Sequence, residues 1–243
     1  MPNMISNYGT EFLIWSYFGI SAEELKDENK VIEVAILRAY RDASSHVLSV
    51  YDDKKDDLKE DAIKQIKSFI DNLKSSINMD NLQTVYDEKH RKVCNALRSK
   101  TYDETYNNSH FFPPDSKGNK RIFTYGIAQK WVNMTIKYIY ILNPNLEWVK
   151  QFKSYFHVPL DSYIYDAINE DFGINVKEML GNKKWSKLDD YDESYMKLQK
   201  KIREKTISQA QAPIDWENPA WIKAARKIRD KGNEKVSQKS SKQ

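Results

Sequence analysis

The run FTYGIAQKWVNMTIKYIYIL, Phe123 to Leu142, constrains the fold more than any other part of the chain. At helical spacing Ile127, Trp131, Met134, Tyr138 and Ile141 form one apolar row, and Val132, Ile136, Ile139 and Tyr140 form another beside it. Only a strip through Lys130, Asn133 and Lys137, at offsets of three and four, stays polar. A helix that is apolar around most of its circumference has to be wrapped by other elements.

The remaining sequence supplies wrapping helices. Ser21 and Glu24 in SAEEL form a capping box that starts a helix. Ile32, Ala35, Ile36, Ala39 and Tyr40, then Val47, Leu48 and Tyr51, keep helical spacing. Leu58, Ala62, Ile66, Phe69, Ile70, Leu73 and Ile77 make one stripe, and Leu82, Val85, Tyr86, Val93 and Leu97 continue it beyond INMD. That pattern predicts two antiparallel helices. With only seven glycines and seven prolines in 243 residues, and no clean strand alternation, the expected fold is all-α and two-lobed. The segment NNSHFFPPDSKGNKR, with Pro113, Pro114 and Gly118, is the best boundary. It divides an N-terminal helical lobe, 1–110, from a second lobe, 111–230, and the polar, Ser/Lys-rich tail 231–243 is expected to be disordered.

Several function classes are excluded at this stage. A single cysteine, Cys94, cannot form an intrachain disulfide, and four scattered histidines offer no Cys/His metal spacing, so neither metal nor cofactor is expected. His46 reads as a core or surface histidine. The acidic DDYDESY segment reads as a helix cap rather than a metal site. No leader peptide and no span of about 20 apolar residues is visible, which implies a cytoplasmic protein, expected to be a monomer, without a membrane partner. The net charge is +4, yet from Lys117 to Lys153 seven Lys/Arg face one acid, Glu147. A face of that kind suits a polyanion such as a nucleic acid, or is a solvated helix surface.

A buried ammonium is costly unless paired, and a desolvated amine is a potential nucleophile. Lys137 has no distinguishing context and is expected to be a structural residue or to snorkel its head into water. Lys130 ends the segment Gly126-Ile127-Ala128-Gln129-Lys130, and Val158-Pro159-Leu160-Asp161 follows with its acid 31 residues later. In these segments the chain resembles the helix-hairpin-helix DNA glycosylases, in particular the 8-oxoguanine type. Their hairpin reads Gly-Val/Ile-Gly-x-Lys, and their aspartate lies in Val-Pro-x-Asp. The resemblance covers about residues 125–168. It departs from the family at Ala128, where a glycine is usual, at Tyr125, where proline is common, and in the inserted NPNLEWVKQFKSYF.

The resemblance implies a DNA glycosylase acting on an oxidised purine, with associated AP-lyase activity and double-stranded DNA as its partner. Lys130 would attack the sugar C1′ and Asp161 would assist charge and proton transfer. Gly126, Ile127 and Ala128 would present backbone N–H groups to a phosphate at the helix N-terminus. The basic residues Lys120, Arg121, Lys150 and Lys153 would add DNA-backbone contacts. A flipped base needs aromatic walls, for which Trp131, Trp185, Trp216 and Trp221 are candidates beside Tyr163 and Phe112, while Trp148 is expected to pack. The alternative is a non-catalytic helical DNA- or protein-binding factor, of the kind that mobile elements or phage-defence systems carry.

Overall fold

The computed structural model describes residues 7–44, 55–101 and 123–240, which are helical throughout their regular parts, with no strand among them. In chain order the helices are α1 (Asn7–Phe18), α2 (Glu28–Ser44), α3 (Lys55–Lys74), α4 (Leu82–Thr101) and α5 (Tyr125–Leu142). They continue as α6 (Glu147–Phe152), α7 (Ser162–Phe172), α8 (Val176–Met179), α9 (Lys197–Ser208) and α10 (Pro213–Ser240). No helix among the described residues is long and apolar enough to cross a membrane.

Helix α5 is the axis of the fold. It is buried from Gly126 through Ile136, as its two apolar rows require. Its most extensive partner is α2, with α4 on a second side. Ala35, Ile36 and Ala39 give α2 a flat face against which Trp131 lies. The Trp131 ring meets Tyr40 at 4.9 Å, and its N–H donates to the Ile36 carbonyl at 3.0 Å. Helices α3 and α4 pack as the expected pair. The Ser21–Glu24 capping box forms reciprocally, Ser21 N–H donating to Glu24 and Glu24 N–H to Ser21. It closes a single 3-10 turn, however. Helix α2 begins two residues after that turn ends, where Asp27 accepts from the N–H groups of Asn29 and Lys30.

One buried apolar cluster runs from Ile20 to Ala220 across both expected lobes. The tail expected to be disordered is helical to Ser240, as an extension of α10. Its Glu, Lys and Gln residues are good helix formers, and no proline follows Pro219 to stop the helix. His46, Phe112, the Pro113-Pro114 boundary, Lys120 and Arg121 lie outside the described residues.

The core also contains a polar filament. Arg203 forks onto the Asp87 carboxylate at 2.8 and 3.1 Å, and the same carboxylate accepts from His157 Nε2 at 2.8 Å. Tyr195 donates to His157 Nδ1 at 2.8 Å and accepts from Asn133 Nδ2 at 2.9 Å. His90 Nε2 donates to Asn133 Oδ1 at 2.8 Å, and Tyr191 donates to His90 Nδ1 at 2.7 Å. The pattern closes with both imidazoles neutral and carrying their proton on Nε2.

Candidate functional site

The N-terminus of α5 is set by Thr124, whose hydroxyl accepts from the Ile127 N–H at 3.2 Å and donates to the Ser186 carbonyl at 2.9 Å. The turn Trp185–Lys187 lies over this end of the helix. Gly126 allows the approach, because a Cβ here would stand 1.8 Å from the Trp185 carbonyl oxygen. The same packing overturns the expected phosphate cradle. Gly126 N–H donates to the Leu188 carbonyl at 2.9 Å, Ile127 N–H to Thr124, and Ala128 N–H to the Thr124 carbonyl at 3.0 Å. All three residues are buried, so none of these amides is presented to an external anion.

One turn further along, the Lys130 amine lies 2.6 Å from Asp161 Oδ2, and neither side chain is more than a tenth exposed. Asp161 is the N-cap of α7 and accepts from Ile164 N–H at 2.9 Å through Oδ1. Trp221, on α10, donates its indole N–H to Oδ2 at 3.2 Å. The carboxylate thus receives a helix N-terminus, an indole and an ammonium. Lys130 also lies 5.7 Å from the centre of the Trp185 ring, within cation–π range.

Lys137, seven residues and about two turns on, takes the structural one of its two expected roles rather than snorkelling. Its amine sits 2.6 Å from Glu217 Oε2 and 2.9 Å from Oε1, the latter with hydrogen-bond geometry, and Glu217 is buried at 1% exposure. Burial pushes the Glu217 carboxyl above its ordinary range, against the opposing pull of Lys137. Both lysines line one open cleft of about 660 Å³, with Phe18, Tyr138, Tyr163, Trp185 and Trp221 among its walls. Asp42 and Asp161 face the two lysines there. The cleft is therefore balanced in charge and walled by aromatics, rather than basic.

Of the four expected pocket tryptophans, Trp185 and Trp221 line the cleft. Trp131 is fully buried against α2, and Trp216 packs on Phe172 at 4.5 Å while donating to Asp171, so these two are core residues. Trp148 is buried and donates to Glu28 at 3.1 Å. Lys150 is exposed on α6, whereas Lys153 pairs with Asp215 at 2.8 Å, and neither lines the cleft. In DDYDESY, Asp190 caps the following turn by accepting from Glu193 N–H, and Asp192 pairs with Arg91.

Sequence reasoning missed Glu217, Asp42 and the buried amide of Gln129. Glu217 had a weak local signal, standing four residues before Trp221 and so one helical turn from it. Asp42 and Gln129 had none. Compared with protein-family models, curated proteins and solved structures, the chain matches none.

Proposed function

We propose that this chain is a DNA N-glycosylase with AP-lyase activity, in which Lys130 is the nucleophile and Asp161 its proton partner. The observation that carries the reading is the Lys130–Asp161 contact at 2.6 Å within an aromatic-walled cleft large enough for a nucleobase.

The chemistry runs in balanced steps. Lys130 passes a proton to Asp161, and the free amine attacks C1′ while the C1′–N bond breaks. The base leaves with that electron pair and takes up a proton, which Asp161 supplies. The ammonium nitrogen so formed gives a proton to Asp161, its lone pair breaks the C1′–O4′ bond, and O4′ takes up that proton, leaving a protonated imine between C1′ and Lys130. Asp161 then takes a proton from C2′, and that electron pair forms the C2′–C3′ double bond as the 3′ phosphate leaves with the C3′–O pair, cutting the strand. Asp161, held by Trp221 and the α7 N-terminus, faces the positive charge that develops at the sugar. Trp185 and Trp221 supply π-faces for an extruded base, and an oxidised purine is the substrate class.

Borohydride trapping on duplexes with 8-oxoguanine or an abasic site tests this reading. A covalent adduct is expected from wild type and from Lys137→Gln, and none from Lys130→Gln. Absence of both adduct and base release in wild type would sink the proposal. A second reading, a non-catalytic binding factor, is favoured by α1, where Tyr8, Phe12 and Trp15 share one exposed face. It predicts binding that survives Lys130→Gln and Asp161→Asn unchanged, with no chemistry in any variant.

A further inference from the structure

Gln129 precedes Lys130 on α5 and is completely buried. Its side-chain amide makes four hydrogen bonds. Nε2 donates to the carbonyls of Gly126 at 2.9 Å and Leu160 at 3.1 Å. Oε1 accepts from the Leu160 N–H at 3.1 Å and from Asn133 Nδ2 at 3.0 Å. Both main-chain polar groups of Leu160 are therefore held by one side chain, and Leu160 is bonded directly to Asp161. Two residues upstream Gln199 does the same for Val158, whose N–H it accepts at 3.0 Å and whose carbonyl it bonds at 2.7 Å. Pro159, between them, has no N–H to satisfy.

The arrangement ties amine and carboxylate to adjacent positions on one rigid helix. Lys130 is anchored by α5 itself, and Asp161 reaches the same turn of α5 through Leu160 and Gln129. A mispositioning of the order of 1 Å costs roughly 100-fold in a reacting geometry, so such a tie matters for function as well as for folding. We infer that Gln129 is the positioning residue of this site, and that its amide sets the Lys130–Asp161 contact. The geometric claim stands on the hydrogen bonds alone, and its catalytic consequence rests on the glycosylase reading above.

The test uses the full-length chain without DNA, so that it is separable from that reading. Reductive methylation of Lys130 is quantified by mass spectrometry against exposed Lys150 at pH 8, in wild type, Gln129→Met, Gln129→Glu, Gln199→Met and Asp161→Asn. Gln129→Met is expected to raise relative labelling of Lys130 about tenfold, the effect of losing a close carboxylate partner, and to match Asp161→Asn. Gln129→Glu keeps the accepting half of the clamp and should rise less. It also serves as the readout if Gln129→Met does not fold. Gln199→Met removes an equivalent clamp two residues further from Asp161 and should lower the melting temperature without changing Lys130 labelling.

Wild-type labelling in both Gln129 variants would overturn the inference. So would an equal rise in Gln199→Met, which would mean general loosening. If wild type forms no borohydride adduct with DNA, the glycosylase reading fails while the labelling result still decides the role of Gln129. If both hold, single-turnover cleavage by Gln129→Met should fall about 100-fold with substrate affinity retained.

Discussion

Acidification should destabilise this protein through two buried histidines, starting well above the range where carboxylates titrate. His90 and His157 are almost fully buried, with ring centres 4.5 Å apart. Burial holds His90 well below its ordinary range, reinforced by the neighbouring His157. Burial also lowers His157, against the pull of Asp87. Their surroundings are Tyr191, Tyr195, Tyr86 and Cys94, with Asp87 and Arg203 beyond. A proton added to His157 Nδ1 would face the oxygen of Tyr195, which already accepts from Asn133, and a second on His90 would place two cations in contact.

The unfolded chain takes up these protons near pH 6.5 and the fold only at lower pH. Stability is therefore fully present above that pH and lost below it. A histidine that stays neutral in the fold costs about 1.4 kcal/mol between pH 7.5 and 5.5, so the pair costs up to about 2.7 kcal/mol. That is a large share of the roughly 5–15 kcal/mol typical of a folded domain. Urea unfolding followed by tryptophan fluorescence at the two pH values measures it, with His90→Gln as the variant that should remove about half the slope. Equal stability at pH 7.5 and 5.5, or an undiminished slope in His90→Gln, would refute the reasoning.

Glu217 works in the opposite sense. Its raised carboxyl gains a proton in the fold before it would in the unfolded chain, so Glu217→Gln should make the loss of stability on acidification steeper, as the same urea series would report. Lys137→Met should cost about 3–5 kcal/mol at neutral pH by leaving Glu217 buried and unpaired, with most of it recovered in the double variant with Glu217→Gln, as calorimetry would show. Gly126→Ala should cost about 3 kcal/mol, because its Cβ meets a backbone carbonyl rather than a flexible side chain. The corresponding fall in melting temperature is roughly 6–12 °C for a chain of this size. Trp221→Phe removes one donor from Asp161 and should slow borohydride trapping while leaving the melting temperature within a few degrees.

What the sequence made legible depended on whether the determining contact was local. The central position of α5 followed from its own apolar rows, and the α3–α4 pair from a stripe repeated on both sides of a short connection. Lys130 and Asp161 were singled out through two short segments, and the fold brings them together. The phosphate cradle failed because Leu188, 62 positions away, takes the Gly126 amide, which no feature around Gly126 announces, while the local cap residue Thr124 takes those of Ile127 and Ala128. The choice between the two roles open to Lys137 was illegible, since its partner lies 80 residues downstream. Trp131 and Trp185 look alike in sequence. Only the flat alanine face of α2 decides that the first is core, and only the loop over Gly126 decides that the second faces the cleft.

The polar strip on α5 thus resolves into three different roles within two turns. Asn133 points into the histidine–tyrosine filament and is fully bonded there. Lys137 and Lys130 both enter the cleft, each with a carboxylate, so pairing alone does not distinguish them. The fixing of the carboxylate does. Lys130 is approached by Trp185, while its carboxylate is held by Trp221, by a helix N-terminus and, through Leu160, by Gln129. The Glu217 carboxylate accepts from Lys137, and its carboxyl is raised by burial. A nucleophile requires a partner fixed in direction as well as in distance, because the proton and the attacking nitrogen must separate along defined lines. On that ground Lys130 rather than Lys137 is the amine we propose to react, and the contrast between Lys130→Gln and Lys137→Gln in covalent trapping is the measurement on which the proposal stands or falls.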